Sequence, residues 1–273
     1  MNFIKSFFIS VFVLCGIILS FASCSAKKNC TPEFVKDMNL AWSDEFDGES
    51  DAPDPSNWAY KEGANGWGNG ELQNYTSSRE NSYVSKGTLK ITAKKGEFQK
   101  WTSARLVTQG KQAFTYGYLE FKAKVPLQRG CWPCIWMLPE NNAYGIWPRS
   151  GEIDIMESSM NVWQDKVYGT AHCYAGYGGN PVKSTGVTVK KLNKRWHVYA
   201  INWTPEGITW YIDGKVISEY RNPHNDEDGW MAWPFDQNFH IIMNVAMGGT
   251  LGGDIDPKIK ECTMEVDYVR LYQ

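Results

Sequence analysis

A chain of 273 residues, 42% of them hydrophobic, is long enough to bury one large core. Its net charge of −2 supplies no clustered basic surface, which argues against a nucleic-acid partner. Aromatic residues reach 14%, with 13 Trp; most belong in a core, and the rest suit sugars, whose axial C–H groups stack on exposed ring faces.

Residues 1–23 read as a secretion signal: Lys5 precedes an apolar run from Phe7 to Phe21, too short for a comfortable membrane span, and small residues follow. The sequence Phe21-Ala22-Ser23-Cys24 resembles a bacterial lipobox with Phe where Leu is usual. It predicts Cys24 as the lipidated first residue of the mature protein, with ordinary cleavage nearby as the alternative. Residues 24–38, with Lys27 and Lys28, then form a tether and lead-in, including a short helix from Thr31 to Met38. The expected location is the cell surface or outer membrane of a bacterium, with membrane contact only through the lipid.

Residues 39–273 contain no internal repeat and no long helical periodicity, and read as a single domain. Leu89, Ile91 and Ala93 alternate with polar neighbours, as do Leu119, Phe121, Ala123 and Val125 with Glu120, Lys122 and Lys124 between them; these are strands with one wet face. A strand is expected from Arg195 to Thr204. The run Gly207–Tyr220 is a hairpin turning at Asp213-Gly214, and Phe239–Ala246 and Met264–Tyr272 complete the strands. Hairpin-length links between many strands indicate an antiparallel sandwich or barrel. The segments 47–82, 139–150 and 221–237 are long for simple connections and are expected to wall a site.

With Cys15 and Cys24 set aside, Cys30, Cys131, Cys134, Cys173 and Cys262 remain, an odd number that leaves at least one thiol free. Cys131-Trp-Pro-Cys134 lies in an apolar aromatic run without a second Cys pair, which favours small core residues replaced by Cys over a zinc or redox site. Cys30 and Cys262 could form a staple; the pairing stays open.

The run Gly151-Glu152-Ile-Asp154-Ile-Met-Glu157 sets three carboxylates in an apolar strand. Alternation places Glu152 and Asp154 on one face and Ile153 and Ile155 on the other. Glu157 has the wrong parity, which a β-bulge at Ile155 or Met156 would correct. Three like charges on one wall cannot all ionise independently, so a proton is shared or retained. An ionised carboxylate beside a protonated one is the equipment for glycosidic bond hydrolysis. The bland alternative is a solvated acidic strand.

The same run resembles the signature of glycoside hydrolase family 16 in its bulged, laminarinase-like form. So do Trp-Ser-Asp-Glu-Phe at 42–46, Gly-Trp-Gly-Asn-Gly-Glu-Leu-Gln-Asn-Tyr-Thr at 66–76, Trp132-Pro133 through Trp136-Met-Leu-Pro139, Trp233-Pro-Phe-Asp236, Asn244 through Gly249, and the ending Val266-Asp-Tyr-Val-Arg-Leu-Tyr. The resemblance implies an all-β antiparallel jelly roll with an open cleft on its concave sheet. It implies a retaining endo-β-1,3(4)-glucanase with Glu152 as nucleophile, Glu157 as acid/base and Asp154 assisting. An inverting geometry is the runner-up.

As sugar contacts the resemblance and the sequence context offer Trp136, Trp147, Trp132, His172, Arg105 and Asn74, with Trp67 and Trp233 at the rim. No cofactor is implied for catalysis. A structural calcium would take the Asp267 carboxylate with the Glu45 and Gly87 carbonyls. The expected partner is a β-glucan and the expected state a monomer. Agarose, carrageenan or xyloglucan as substrate, or a non-catalytic glycan-binding lectin on the same sandwich, are the alternatives. Arg149 is the main cation flanking the acids, which favours a neutral glucan.

Overall fold

The computed structural model describes residues 31–48, 52–163, 165–224 and 229–273; the expected signal, the lipidation site Cys24 and Cys30 lie outside them. The chain is an all-β jelly-roll sandwich of one ten-stranded and one eight-stranded sheet. The eight-stranded sheet runs from Lys183–Thr188 through Lys166–His172, Glu152–Glu157, Cys131–Pro139, Phe239–Met247 and Arg105–Val107 to Ala59–Tyr60, with Ala113–Phe114 beside Phe239–Met247. The strands Gly117–Lys124, His197–Thr204 and Glu261–Tyr272 lie inside the other sheet. Pairing is antiparallel except between Gln73–Tyr75 and Trp101–Ser103.

Alternating residues of both sheets meet between them. Leu119, Phe121 and Ala123 from one and Ile135, Met137, Ile153 and Ile155 from the other are all buried in one cluster. The expected hairpin forms from Gly207–Ile212 and Lys215–Arg221. Asp213 and Gly214 take φ of 51° and 74°, the positive values that a tight turn requires. Cys131, Cys134, Cys173 and Cys262 are buried free thiols, as small core residues would be.

Two expectations are corrected. Glu120 shares the outer face of Lys122 and Lys124 but is not wet; it is fully buried. The expected short helix is a 3-10 turn, Glu33–Asp37, and it lies over the outer face of the ten-stranded sheet. There Val35 packs with Tyr118, Ala200 and Tyr211, and Thr31 Oγ1 donates to Glu120 Oε2 at 3.1 Å. Burial pushes the Glu120 carboxyl above its usual range. The segment 47–82 is also more than a connection, since it contributes Ala59–Tyr60, the turn Gly66–Gly68 and the strand Gln73–Tyr75.

The strand Glu152–Glu157 carries the bulge. Trp136 faces Asp154 while Ile135 faces Met156, and on the other side Asp154 faces Thr170 while Glu157 faces Tyr168. Ile155 is therefore the surplus residue, and Ile155 and Met156 are both buried. A bulge frees carbonyls from the ladder, and a buried carbonyl needs a donor. Trp210, from the opposite sheet, gives its Nε1–H to the Asp154 carbonyl at 2.8 Å.

That indole occupies the space where a side chain at Gly169 would lie, and an added Cβ there would collide with it. Gly169→Ala is expected to destabilise the fold by about 1–3 kcal/mol through overpacking, measured as a fall in the urea midpoint.

Candidate active site

The outer face of the eight-stranded sheet forms the floor of a cleft of about 860 Å³. Glu152, Asp154 and Glu157 all line it, brought to one side by the Ile155 bulge. Each acid has a dedicated neighbour. Glu152 Oε2 accepts a hydrogen bond from Trp147 Nε1 at 2.7 Å, and Glu157 Oε1 accepts one from Trp132 Nε1 at 3.1 Å. The Cys134 thiol approaches Glu157 Oε1 at 4.0 Å from the facing strand. Asp154 Oδ2 lies 3.3 Å from His172 Nε2.

Desolvation dominates the electrostatics. Burial, and then the charge of Asp154, push the Glu152 carboxyl up to about 8. Burial, and then Glu152, push Glu157 up to about 7. Asp154 is raised well above the carboxylate range by burial and then by Glu157. Because the groups interact strongly, these protons belong to the cluster rather than to single residues. At neutral pH the wall therefore keeps at least one proton, available to a departing oxygen.

The floor is aromatic and polar in turn. The Arg105 guanidinium is held between the indoles of Trp67 and Trp136, at 4.6 and 4.7 Å from the ring centroids. Trp136 Nε1 donates to Asn244 Oδ1 at 2.8 Å, and Asn244 Nδ2 donates to the Tyr75 hydroxyl at 2.9 Å. Tyr75 in turn donates to Glu71 Oε2 at 3.0 Å. Trp147 is 47% exposed at the cleft wall and stands edge-on to Tyr177. Trp132 is buried, with its polar edge turned to Glu157.

The structure thus brings Trp67, Arg105, Trp132, Trp136, Trp147 and His172 into the cleft with the three acids. It does not bring Trp233 or Asn74 there. Trp233 is buried against Tyr220 and Phe235, because the short helix Gly229–Ala232 turns it inward instead of leaving it on the rim. Asn74 is exposed, because its strand turns Gln73 and Tyr75 inward and parity sends Asn74 out.

The strand Glu261–Tyr272, which carries Asp267, pairs with both Leu40–Asp44 and Thr88–Lys95; Glu45 follows the first and Gly87 precedes the second. The Asp267 carboxylate, however, is paired with the Lys122 ammonium, and the Glu45 carboxylate with Arg270 at 2.9 and 2.8 Å. As folded, the one carboxylate of the expected calcium set faces the Lys122 ammonium.

Sequence reasoning missed Glu71, Asn244 and the turn at Gly178, Gly179 and Pro181, all of which line the cleft. Asn244 had a signal, as an amide within a strand of nine buried residues. The Gly-Gly-Asn-Pro run at 178–181 had one too, as loop chemistry a few residues after His172.

The profile of glycosyl hydrolases family 16 matches residues 69–270. A beta-glucanase of Rhodothermus marinus is 43% identical over 98% of this chain and 93% of its own. The X-ray structure of the laminarinase from Rhodothermus marinus superposes with a TM-score of 0.81 at 44% identity, covering 86% of this chain and 97% of that one. A non-specific endo-beta-1,3(4)-glucanase, co-crystallised with 1,3-beta-D-cellotriosyl-glucose, superposes at 0.81 with 35% identity, over 87% and 95% of the two chains.

A carboxyl whose pKa rises on folding favours the folded state while it is protonated, and that contribution is lost as pH climbs from the ordinary 4.5 through about 7. Glu157→Gln is therefore expected to be more stable than the parent at pH 8, by about 0.5–2 kcal/mol. Urea unfolding at the two pH values checks this: the difference should shrink at pH 5, where the parent's carboxyl is largely protonated.

Proposed function

The chain belongs to glycosyl hydrolases family 16, and from that membership we propose a retaining, two-step mechanism for its chemistry. The protein is an endo-acting glucanase that hydrolyses β-1,3 or mixed β-1,3/1,4 linkages in glucans, and the chemistry needs no cofactor. The observation that carries the mechanism is the bulged strand, with its three acids on one face of an aromatic-lined cleft.

Glu152 is the nucleophile. Its carboxylate, steadied by the Trp147 N–H, attacks the anomeric carbon and forms a glycosyl ester. Glu157 gives its proton to the departing glycosidic oxygen; desolvation raises both glutamates, Glu152 the further, so the division of roles rests on family membership and not on titration. Glu157 then takes a proton from the water that cleaves the ester. Asp154, between them, shares a proton with Glu152 and adjusts its charge through the cycle. Retention requires the two glutamate carboxyls to work roughly 5–5.5 Å apart on the same bond. Trp136 and Trp147 offer indole faces to the sugar rings, and Arg105, His172 and Trp67 border the same space. The Trp132 N–H holds Glu157 in place.

Three further parts of the proposal rest on sequence alone: an amino-terminal signal, lipidation at Cys24, and surface display of a monomer on a bacterial cell. The calcium belongs here as well. For Asp267 to bind it with the Glu45 and Gly87 carbonyls, the Lys122 ammonium must move aside. Calcium is then expected to raise the melting temperature and EDTA to lower it, and a melt indifferent to both would leave Lys122 as the permanent counter-charge.

The decisive test of function is a time-resolved product profile on laminarin, lichenan, agarose and xyloglucan, with Glu152→Gln in parallel. Oligosaccharides are expected from laminarin or lichenan and no cleavage from the variant. The first-formed sugar should be the β-anomer, and an α-anomer would mean inversion. Cleavage by Glu152→Gln, or sugar binding without cleavage by the parent, would overturn the assignment.

A further inference from the structure

Within the acidic wall, a second chemistry is available to three of its members. Ligand atoms of Glu152, Asp154 and His172 all lie within 4.8 Å of one another, and no other such three-residue set occurs among the described residues. Two carboxylates and an imidazole are ligands that a zinc or copper ion accepts.

One separation matches the ion's size. A tetrahedral zinc with ligands at about 2.0 Å has edges of about 3.3 Å, and His172 Nε2 stands 3.3 Å from Asp154 Oδ2. Asp154 is buried, and its Oδ2, although 3.3 Å from His172 Nε2, makes no hydrogen bond. Glu152 has three rotatable bonds with which to close the remaining gap. The register supports the grouping, because Glu152 and His172 are direct cross-strand partners and Asp154 is two residues along on the same face.

We propose that Glu152, Asp154 and His172 form an exchangeable site for a divalent transition metal of the zinc class, and that the metal and the glucan exclude each other. The ion takes one oxygen from each carboxyl and the imidazole Nε2, leaving a position open to water. The site is of the exchangeable kind because His172 Nδ1 has no acceptor to orient the ring and strengthen it as a ligand. The exclusion of glucan rests on the assignment of Glu152 as nucleophile; the metal binding does not.

Calorimetric titration of zinc chloride into the purified protein tests the site directly. One zinc per chain is expected. His172→Gln and Asp154→Asn should each weaken binding about tenfold or more, with melting curves confirming that both variants fold. Competition is read in Glu157→Gln, where the three ligands are intact, and a laminari-oligosaccharide should weaken zinc binding there in proportion to its concentration. Absent zinc uptake, uptake indifferent to both ligand substitutions, or simultaneous binding of zinc and sugar would overturn the proposal. Zinc binding without any glucan cleavage by the parent would instead count against the enzymatic reading alone.

Discussion

Three carboxylates reach one side of a strand because Ile155 and Met156 both turn inward, and most of the site depends on that one surplus residue. In an unbroken strand Glu157 would point into the core, where an unpaired charge is far too costly to keep. With the bulge, the core gains two adjacent apolar side chains and the cleft gains its third acid. The disturbance in the ladder is then contained. Trp210 reaches across the sandwich to the Asp154 carbonyl, and Gly169 leaves the room that the indole needs.

Desolvation gives those acids their chemistry. In water three carboxyls would ionise near their ordinary values and none would hold a proton at neutrality. Here burial acts on all three and mutual repulsion adds to it, while the N–H groups of Trp147 and Trp132 pull in the opposite direction at the two glutamates. The tryptophans therefore act beyond their ring faces, since their polar edges help decide how charge is distributed along the wall. Arg105 between two indoles extends the same economy to the floor, where a half-buried cation is held by aromatic faces on both sides.

Much of this was legible in the residues. The alternation of Glu152 with Ile153, the parity defect at Glu157 and the turn at Asp213-Gly214 are local signals, and local signals survive folding. What escaped was set by contacts distant in sequence. Glu120 alternates like a wet-face residue, yet a segment about ninety residues earlier folds over it. Trp233 sits in turn-like sequence, but Tyr220 and Phe235 provide a place to bury it. Asn74 needed only the parity of a three-residue strand, too short to show periodicity. Glu71 lies in a glycine-rich stretch, and its carboxylate is placed by the side chains of Gln73 and Tyr75.

The 3-10 turn that covers Glu120 also has a bearing on how the molecule would meet a large substrate. It docks on the outer face of the ten-stranded sheet, while the acids open from the outer face of the eight-stranded one, so this turn and the cleft are on opposite sides of the sandwich. A molecule held from upstream of Thr31 would turn its back to whatever holds it and its mouth to the medium. An insoluble or branched polymer could then thread past the cleft without first clearing the attachment.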